Sequence, residues 1–375
     1  MTVLLVLTVL FLTAHLVQVA RWHRGMRSPF REDPVQDMTG GELTVILPVR
    51  NEAETLPQLL ADLAAQSRQP TEVIVVDDAS EDGTRAAVES TPWPFPCRVL
   101  DNPGQGKKAG LSAGIQACQT AWAIQVDADT RVGPHALAAV SESIAQHSDL
   151  WDMALLPLRL ASDARHAPRR RLDRLQALDF AAMQGWAVTA VDRGRAAMAS
   201  GGGWVWRTSA FPHGQLRPDL PSGDDVFALA TLIERGDQHR VGRIDHRAAM
   251  VSAAPMPTLR TLLHQRIRWG AKSTHYPPAL REARRVALVV AAVHGLGLAL
   301  LVLNPMAGLV FWSIKSTVDM VYTARVGRAY GLLPSGRMQA AIDLLTLAWA
   351  HPLFIATTLL LMPFGKARWK GRPAT

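Results

Sequence analysis

Residues 121–130 read Ala-Trp-Ala-Ile-Gln-Val-Asp-Ala-Asp-Thr, an apolar run that ends in two carboxylates, Asp127 and Asp129. Such a run predicts a buried β-strand with both acids just beyond its carboxyl end. In an open α/β sheet, ligands bind in the crevice beyond the carboxyl ends of the strands. Two acids there suit a hard divalent cation and its phosphate ligands. Taken alone, the pair is better explained as a solvated turn, because Asp-x-Asp also arises by chance in a chain of this size.

Other apolar runs around this stretch alternate with helical patterns. Residues 43–49 (LTVILPV), 72–78 (EVIVVDD) and 98–100 predict three earlier strands, and residues 153–160 predict a fifth strand. Strands that alternate with helices predict a doubly wound, mostly parallel sheet and therefore an α/β fold. The chain lacks Gly-x-Gly-x-x-Gly after the first strand and Gly-x-x-x-x-Gly-Lys-Ser/Thr anywhere. Dinucleotide oxidoreductases and P-loop NTPases are therefore disfavoured.

Residues 102–110 (NPGQGKKAG) bring glycines and two lysines, Lys107 and Lys108, to the start of a helical pattern. Backbone amides and a lysine at a helix start can hold an anionic ligand. The same residues also fit a flexible turn before an amphipathic helix, so both interpretations stay open.

Three glycines precede Trp204 in the stretch 200–204 (SGGGW). Glycines such as Gly202 and Gly203 remove side chains where a backbone approaches a ligand, and an indole offers a flat face to a sugar ring. Alternatively, the glycines form only a tight turn and Trp204 packs in the core.

Asp224 and Asp225 follow Ser222 and Gly223 and open a helical pattern that continues to Arg235. Ser222 and the two acids can cap that helix and complement its dipole. Read alone, the pair is better explained by capping than by chemistry.

An amphipathic stretch over residues 257–276 contains Gln265, Arg268 and Trp269. Their spacing places them close to one helical face. An arginine there can bind phosphate, and an indole can stack or pack.

Basic residues lie beside the apolar segments of this chain. Its 375 residues are 48% hydrophobic, with a formal net charge of +8 and a pI near 10.1. The basic residues do not form a stripe with interleaved aromatics, so their placement favours the cytoplasmic face of a membrane over nucleic acid. Cys97 and Cys118 have no metal-ligand spacing and are predicted to be reduced.

The membrane segments are predicted from length and flanking charge. Basic residues follow the first apolar run, which predicts an uncleaved anchor and a cytoplasmic catalytic domain in a multi-pass protein of the cell (inner) membrane. Three full spans after that domain would conflict with an inside location for both basic stretches, 325–337 and the C-terminus, so 340–363 is the first suspect for a re-entrant segment. The predicted segments are 1–20 (anchor), 21–42 (linker), 43–256 (catalytic domain), 257–285 (amphipathic interfacial segment), 286–363 (membrane region) and 364–375 (basic cytoplasmic tail).

The order and spacing of the motifs resemble those of membrane-bound family 2 glycosyltransferases, such as cellulose, hyaluronan and ceramide glucosyl synthases. The resemblance covers about residues 43–275 and extends to Trp369-Lys370-Gly371-Arg372. It implies a GT-A, Rossmann-like nucleotide-diphospho-sugar transferase domain with flanking transmembrane helices. The motifs are Pro48-x-Arg50-Asn51-Glu52, Val76-Asp77-Asp78-x-Ser80-x-Asp82-Gly83, Gly106-Lys107, Asp127-Ala128-Asp129, Gly223-Asp224-Asp225 and Gln265-x-x-Arg268-Trp269.

The resemblance also implies roles for single residues. Asp127 and Asp129 would bind Mg²⁺ or Mn²⁺, with Asp129 as the direct ligand. Asp225 would be the catalytic base, with Asp224 as the next candidate. The implied substrate contacts are Asp77, Asp78 and Lys107 or Lys108 for the nucleotide, Gly202, Gly203 and Trp204 for the acceptor, and Gln265, Arg268 and Trp269 for closure over the diphosphate and acceptor.

The implied activity is metal-dependent sugar transfer from a UDP- or GDP-linked donor to a membrane lipid or a growing glycan. One base without a second nucleophile implies direct displacement with inversion at the anomeric carbon. Two alternatives stay open: transfer of a single sugar to polyprenyl phosphate by the same fold, and a non-catalytic scaffold in a polysaccharide assembly complex. The two acidic pairs argue against the scaffold. Gly-Asp-Asp in place of the familiar Thr-Glu-Asp or Gly-Glu-Asp, with a short final membrane region, leaves processivity open.

Overall fold

The structure, a computed structural model, divides the chain into two compact units. We call the first the sheet unit; it comprises Ser28–His166, Ala190–Ala254 and Arg368–Thr375. We call the second the helical unit; it comprises Met1–Arg27, Ala167–Thr189 and Pro255–Ala367. The described residues are 2–26, 30–36, 42–161, 170–220, 222–362, 368–369 and 372–373. Parts of the predicted linker and most of the predicted basic tail, including Lys370 and Gly371, lie outside them.

Twelve strands and eleven α-helices are found in the described residues. The strands are β1 (Leu43–Val49), β2 (Glu72–Asp77), β3 (Cys97–Asp101), β4 (Trp122–Val126), β5 (Thr130–Val132), β6 (Met153–Leu155), β7 (Leu158–Leu160), β8 (Gly203–Arg207), β9 (Val241–Arg243), β10 (Val251–Ala253), β11 (Arg368–Trp369) and β12 (Arg372–Pro373). The helices are α1 (Thr2–Gly25), α2 (Leu56–Ala64), α3 (Thr84–Glu89), α4 (Gly106–Ala117), α5 (Ala136–His147), α6 (Arg171–Asp192), α7 (Asp224–Glu234), α8 (Leu259–Ser273), α9 (Arg281–Leu303), α10 (Pro305–Ala329) and α11 (Arg337–Leu361).

The sheet unit is built on a seven-stranded sheet in the order β3-β2-β1-β4-β8-β6-β9. The first four strands are parallel, whereas β8 runs antiparallel to both β4 and β6. In the register, Val49 lies opposite Asp77 and Ile46 opposite Gln125. The carboxyl ends of β1, β2 and β4 therefore meet at one edge. The prediction of a mostly parallel α/β sheet is confirmed for these strands.

One sequence prediction about a strand was wrong, and several strands were not predicted. The predicted strand 153–160 is two strands, β6 and β7, which belong to different sheets. Pro157 lies between them, and a proline cannot donate a ladder hydrogen bond. The strands that were not predicted are β5, β8, β9, β10, β11 and β12. Of these, β8 belongs to the main sheet and follows glycines. β7 joins β5 and β10 in a small second sheet.

Close packing holds α4 against the sheet. A Cβ at Gly114 of α4 would lie 2.5 Å from Cγ2 of Ile46, which is fully buried in β1. Side chains from β1, β2, β8 and α7 fill the same core, including Ile74, Trp206 and Leu229. This packing fixes the start of α4, which carries Lys107, relative to the carboxyl ends of the strands.

Three helices in the described part of the chain are long and apolar enough to cross a membrane, judged by length and composition: Thr2–Gly25, Pro278–Leu303 and Arg337–Leu361. The last is continuous through Pro352, and whether it crosses or re-enters stays a prediction. Within the helical unit, α1 packs against α9 and α10, and α10 against α11. Residues 167–189, which the sequence assigns to the catalytic domain, group with these helices.

Polar side chains lie inside the helical unit at the junction of α1, α9 and α10. Lys315 Nζ lies 2.8 Å from Asp319 Oδ2 and 3.2 Å from His294 Nε2. His15 Nε2 lies 2.8 Å from Asp319 Oδ1. Met306, on the same helix as Lys315, is 73% exposed. Helix α10 therefore turns its charges inward and leaves apolar side chains exposed, as expected for a charged residue in an apolar helix.

Candidate active site

The loops after β1 and β2 brace each other at the carboxyl edge of the sheet. Arg50 Nη1 donates to the carbonyl of Asp78 at 2.7 Å. The Asn51 amide donates to Ser80 Oγ at 3.0 Å, and Asn51 Oδ1 accepts from the Glu81 amide at 2.9 Å. The motif residues Arg50, Asn51 and Ser80 therefore hold the shape of the loops around the site.

Asp77 and Asp78 are both buried, and turn residues hold their carboxylates. Asp77 Oδ1 accepts from the amide and hydroxyl of Ser80, at 3.1 and 2.5 Å. Asp78 Oδ1 accepts from Asn102 Nδ2 at 2.9 Å and from the Gly106 amide at 3.1 Å. Asp78 thus ties the end of β2 to the start of α4. Contact of either acid with a nucleoside stays a prediction.

Lys107 joins the two acidic pairs. Its Nζ lies 2.7 Å from Asp127 Oδ1 and 3.1 Å from Asp224 Oδ2, and it donates to the carbonyl of Gly201 at 2.9 Å. These partners come from the end of β4, the start of α7 and the turn before β8. One ammonium group therefore gathers the predicted metal pair and the predicted base pair at one place.

Electrostatics in this cluster are strongly coupled. Burial alone would lower the pKa of Lys107. The nearby carboxylates of Asp127 and Asp224 have a larger effect, so the pKa of Lys107 is raised. Burial raises the pKa of Asp127 to about 6; Lys107 opposes this shift, and Asp129 and Asp224 add to it. Because like charges crowd the site, it favours an added cation.

The Asp127-Ala128-Asp129 motif forms the turn between β4 and β5. The Thr130 amide and hydroxyl both donate to the carbonyl of Asp127, at 3.0 and 2.7 Å. Asp129 lies in the turn and is exposed, whereas Asp127 is half-buried beside Lys107. Asp129 is therefore the more accessible of the two carboxylates, and its role as a metal ligand stays a prediction. No group of three His, Cys, Asp or Glu side chains is gathered for a metal among the described residues. Two carboxylates fit a cation that takes its other ligands from a substrate diphosphate.

Asp224 and Asp225 form the first turn of α7. Gly223, at φ +90°, is the N-cap residue and allows this turn, so Ser222 does not cap the helix as the sequence suggested. Asp225 Oδ1 accepts from the Val226 amide at 2.8 Å. A Cβ at Gly201 would lie 3.4 Å from Asp225 Oδ2. Both acids are therefore buried beside the Gly201 backbone.

Lys108 has a different function from its neighbour. Its Nζ donates to the carbonyls of Arg217 and Leu220, at 2.7 and 2.8 Å. These bonds anchor the loop that leads into Gly223 and the acidic pair. From the sequence, Lys107 and Lys108 are equal candidates for contact with the nucleotide. In the structure Lys107 lies at the acidic pairs, whereas Lys108 bonds the loop.

Gly202, Gly203 and Trp204 are placed by packing. Trp204 is 1% exposed, and its ring stacks on Phe211 with centroids 6.1 Å apart. The alternative in which Trp204 packs in the core is the one that the structure shows; its ring cannot offer a face to a sugar there. A Cβ at Gly202 would clash with Leu158. The sequence analysis missed Gly201, whose carbonyl accepts from Lys107, because a backbone acceptor leaves no sequence signal.

Gln265, Arg268 and Trp269 lie on α8, in the helical unit. Their spacing and helical setting are as predicted. Their contacts with a diphosphate or an acceptor stay predictions.

Comparisons with known proteins bear on the family and the fold of the chain. The family model described as Glycosyl transferase family 2 matches residues 44–174. The chain is 33% identical over 117 residues to an undecaprenyl-phosphate 4-deoxy-4-formamido-L-arabinose transferase of Aeromonas hydrophila, a match covering 29% of this chain and 35% of the relative. It is 31% identical over 101 residues to the succinoglycan biosynthesis protein ExoO of Rhizobium meliloti, covering 27% and 29%. The matched segments thus span about a third of the relatives' length.

The fold also matches a solved structure along almost its whole length. The mannosyltransferase PcManGT from Pyrobaculum calidifontis, solved in complex with GDP-Man and Mn²⁺, superposes with a TM-score of 0.56 at 18% identity. The match covers 97% of this chain and 99% of that one. The resemblance and the fold implied by the sequence motifs are therefore confirmed: residues 44–174 match the family 2 glycosyl transferase model, in a chain with the GT-A fold and candidate membrane helices on both sides.

Proposed function

We propose that the protein transfers a sugar from a nucleotide-diphospho-sugar to a membrane-associated acceptor, with inversion at the anomeric carbon. The observation that carries this proposal is the contact of Lys107 with both acidic pairs. It gathers one pair suited to a cation and one suited to proton transfer beyond the carboxyl ends of parallel strands. The family 2 match supports the same reaction class.

Asp129, with Asp127 beside it, would hold Mg²⁺ or Mn²⁺. When bound, the cation supplies charge stabilisation for the diphosphate as the sugar leaves. Arg268 is proposed to add a second positive charge for that group. Asp225 would accept the proton of an acceptor hydroxyl, because its carboxylate lies at the start of α7 beside the Gly201 backbone.

Transfer of one sugar to a polyprenyl phosphate is the second candidate. It is favoured by the relative that is named an undecaprenyl-phosphate transferase. The second pKa of a phosphate ester is about 6, so at pH 7 such an acceptor is largely ionised and needs no base. The two candidates therefore differ in what they require of Asp225.

A donor screen tests the proposal. Purified full-length protein in lipid nanodiscs is incubated with UDP- and GDP-linked sugars, Mn²⁺ and either polyprenyl phosphate or a membrane lipid extract. Released UDP or GDP and labelled lipid are measured together. We expect one donor to release nucleotide in step with lipid labelling, and Asp129→Ala to abolish both. Labelling absent with every donor, with nucleotide binding intact, would favour the scaffold alternative.

A further inference from the structure

Helix α8 carries an arginine that is not part of its Gln-x-x-Arg-Trp motif. Arg266 is 7% exposed, and its Nη2 donates to Asp179 Oδ2 of α6 at 2.5 Å. Its guanidinium carbon lies 4.5 Å from the centroid of the Trp269 ring. Arg266 therefore connects α6 with a motif residue one helical turn away.

The second oxygen of the same carboxylate contacts a third helix. Asp179 Oδ1 lies 3.2 Å from His351 Nε2 of α11. Burial alone would raise the pKa of the Asp179 carboxyl. Arg266 and His351 have a larger effect and hold that pKa well below the usual range. One ionised side chain thus joins α6, α8 and α11.

Two more residues on the same face of α6 support α8. The side-chain amide of Gln176 exchanges two hydrogen bonds, both 2.9 Å, with the backbone of Met256, just before α8 begins. The ring of Phe180 lies 6.0 Å from that of Trp269. Gln176, Asp179 and Phe180 follow the i, i+3, i+4 spacing of one helical face. Side chains of α6 therefore contact the chain just before α8 begins and again at the motif of α8.

We propose that Asp179 is a positioning residue, which sets the rotation of α8 and thereby the directions in which Gln265 and Arg268 project. Successive helical residues are about 100° apart, so fixing Arg266 fixes the residues beside it. An apolar contact would tolerate sliding, whereas a charged hydrogen bond requires a direction as well as a distance. The consequence for sugar transfer rests on the proposed function, in which Arg268 stabilises the diphosphate.

The test compares two buried interhelical carboxylates. Asp343 of α11 is fully buried and accepts from Arg174 of α6 at 2.6 Å, and neither residue lies on α8. Asp179→Asn and Asp343→Asn therefore each remove the carboxylate partner of an interhelical arginine, buried Arg266 in one case and half-buried Arg174 in the other. Hydrogen exchange of the amides 259–273 and sugar transfer per folded molecule are measured for both. For Asp179→Asn we expect at least about tenfold faster exchange in α8 and a kcat about 10–100-fold lower, with unchanged nucleotide affinity. Asp343→Asn should leave α8 exchange and kcat unchanged.

A double variant separates positioning from stability. Asp179→Leu/Arg266→Met removes both charges and strands neither, so thermal stability should recover relative to Asp179→Asn. We expect kcat to stay low and α8 exchange to stay fast, because the directional contact is still absent. Recovery of both with stability would overturn the proposal, as would equal effects of Asp179→Asn and Asp343→Asn on α8. Hydrogen exchange needs no substrate, so it tests the positioning role of Asp179 by itself. Failure to find any sugar transfer would contradict the proposed function and not the positioning role.

Discussion

Two adjacent lysines hold the active-site edge together by different bonds. Lys107 ion-pairs with Asp127 and Asp224, whereas Lys108 donates to backbone carbonyls of the loop before Gly223. Consecutive residues of a helix project about 100° apart, which lets one lysine face the acids and the other the loop. Lys108 therefore anchors the loop that precedes Gly223 and Asp225.

Asp129→Ala should abolish metal-dependent nucleotide binding and sugar transfer together, because the cation joins protein to diphosphate. Isothermal titration with UDP or GDP, with and without Mn²⁺, measures the first effect, and the nanodisc assay measures the second. Asp149, an exposed aspartate after α5, offers a matched control as Asp149→Ala. Full activity of the unmodified protein in excess EDTA would contradict the prediction.

Asp225→Asn should fold and bind nucleotide with near-normal affinity, because asparagine keeps the size and can still accept from the Val226 amide. It cannot accept a proton, so transfer to a hydroxyl acceptor should slow by at least about a hundredfold. If activity falls only in proportion to folded protein, Asp225 serves the helix end and Asp224 becomes the next candidate base. An unchanged rate with a polyprenyl phosphate acceptor and a slow rate with a hydroxyl acceptor would identify Asp225 as a base that phosphate does not need.

At the scale of the elements, strands β1, β2 and β4 could be predicted because both faces of each strand are buried. Their sequences are continuous apolar runs, such as LTVILPV at 43–49, which need no tertiary information. Antiparallel β8 could not be predicted, since glycines precede it and its tryptophans suit a strand or a binding loop equally. The split at Pro157 was readable in principle, because proline interrupts a ladder.

The candidate site was predictable only as far as its motifs are local. Asp127, Asp129, Asp224 and Asp225 stand in short patterns at element ends. The roles of Gly201 and Asp179 arise from contacts between residues far apart in the chain, such as Asp179 with Arg266. No period or spacing in one sequence encodes such a pairing.

The ion pair between Lys315 and Asp319 on helix α10 should contribute to stability. Lys315→Met should destabilise the helical unit by about 3 kcal/mol, because Asp319 then loses its ammonium partner. This is the lower end for a broken buried pair, as the Asp319 side chain is 25% exposed. Thermal melting in detergent measures the change. The double variant Lys315→Met/Asp319→Leu should recover most of it; a double variant as unstable as the single one would show that the pair itself, not the stranded charge, matters.

At the scale of the whole molecule, charge at the ends of the helices sets the expected orientation. Arg21 and Arg24 lie at the end of α1, and Arg284 and Arg285 at the start of α9. Basic residues stay on the cytoplasmic side, so both of these ends should lie inside. The chain between them, which includes the whole family 2 match, would then face the cytoplasm.

Cysteine labelling tests this orientation. In a variant without Cys97 and Cys118, Leu150→Cys in the sheet unit should resist an impermeant maleimide in intact cells, although Leu150 is 59% exposed. Met306→Cys, just after α9, should be labelled, because α9 leads outward from its basic end and Met306 is 73% exposed. Removing the native thiols leaves the introduced cysteine as the labelled group. Cys97 would react slowly in any case, because burial, with a smaller contribution from Glu72, raises the pKa of its thiol to about 11.

If the orientation is inverted, Leu150→Cys should be labelled in intact cells and Met306→Cys should not. Permeabilised cells provide the control, because both positions should then react to the same extent. Labelling at Leu150→Cys in intact cells, without labelling at Met306→Cys, would put the acidic pairs outside the cell. Nucleotide sugars are supplied from the cytoplasm, so that outcome would contradict the proposed donor as well as the orientation. Labelling of Leu150→Cys only after permeabilisation is the result expected from the placement of the arginines.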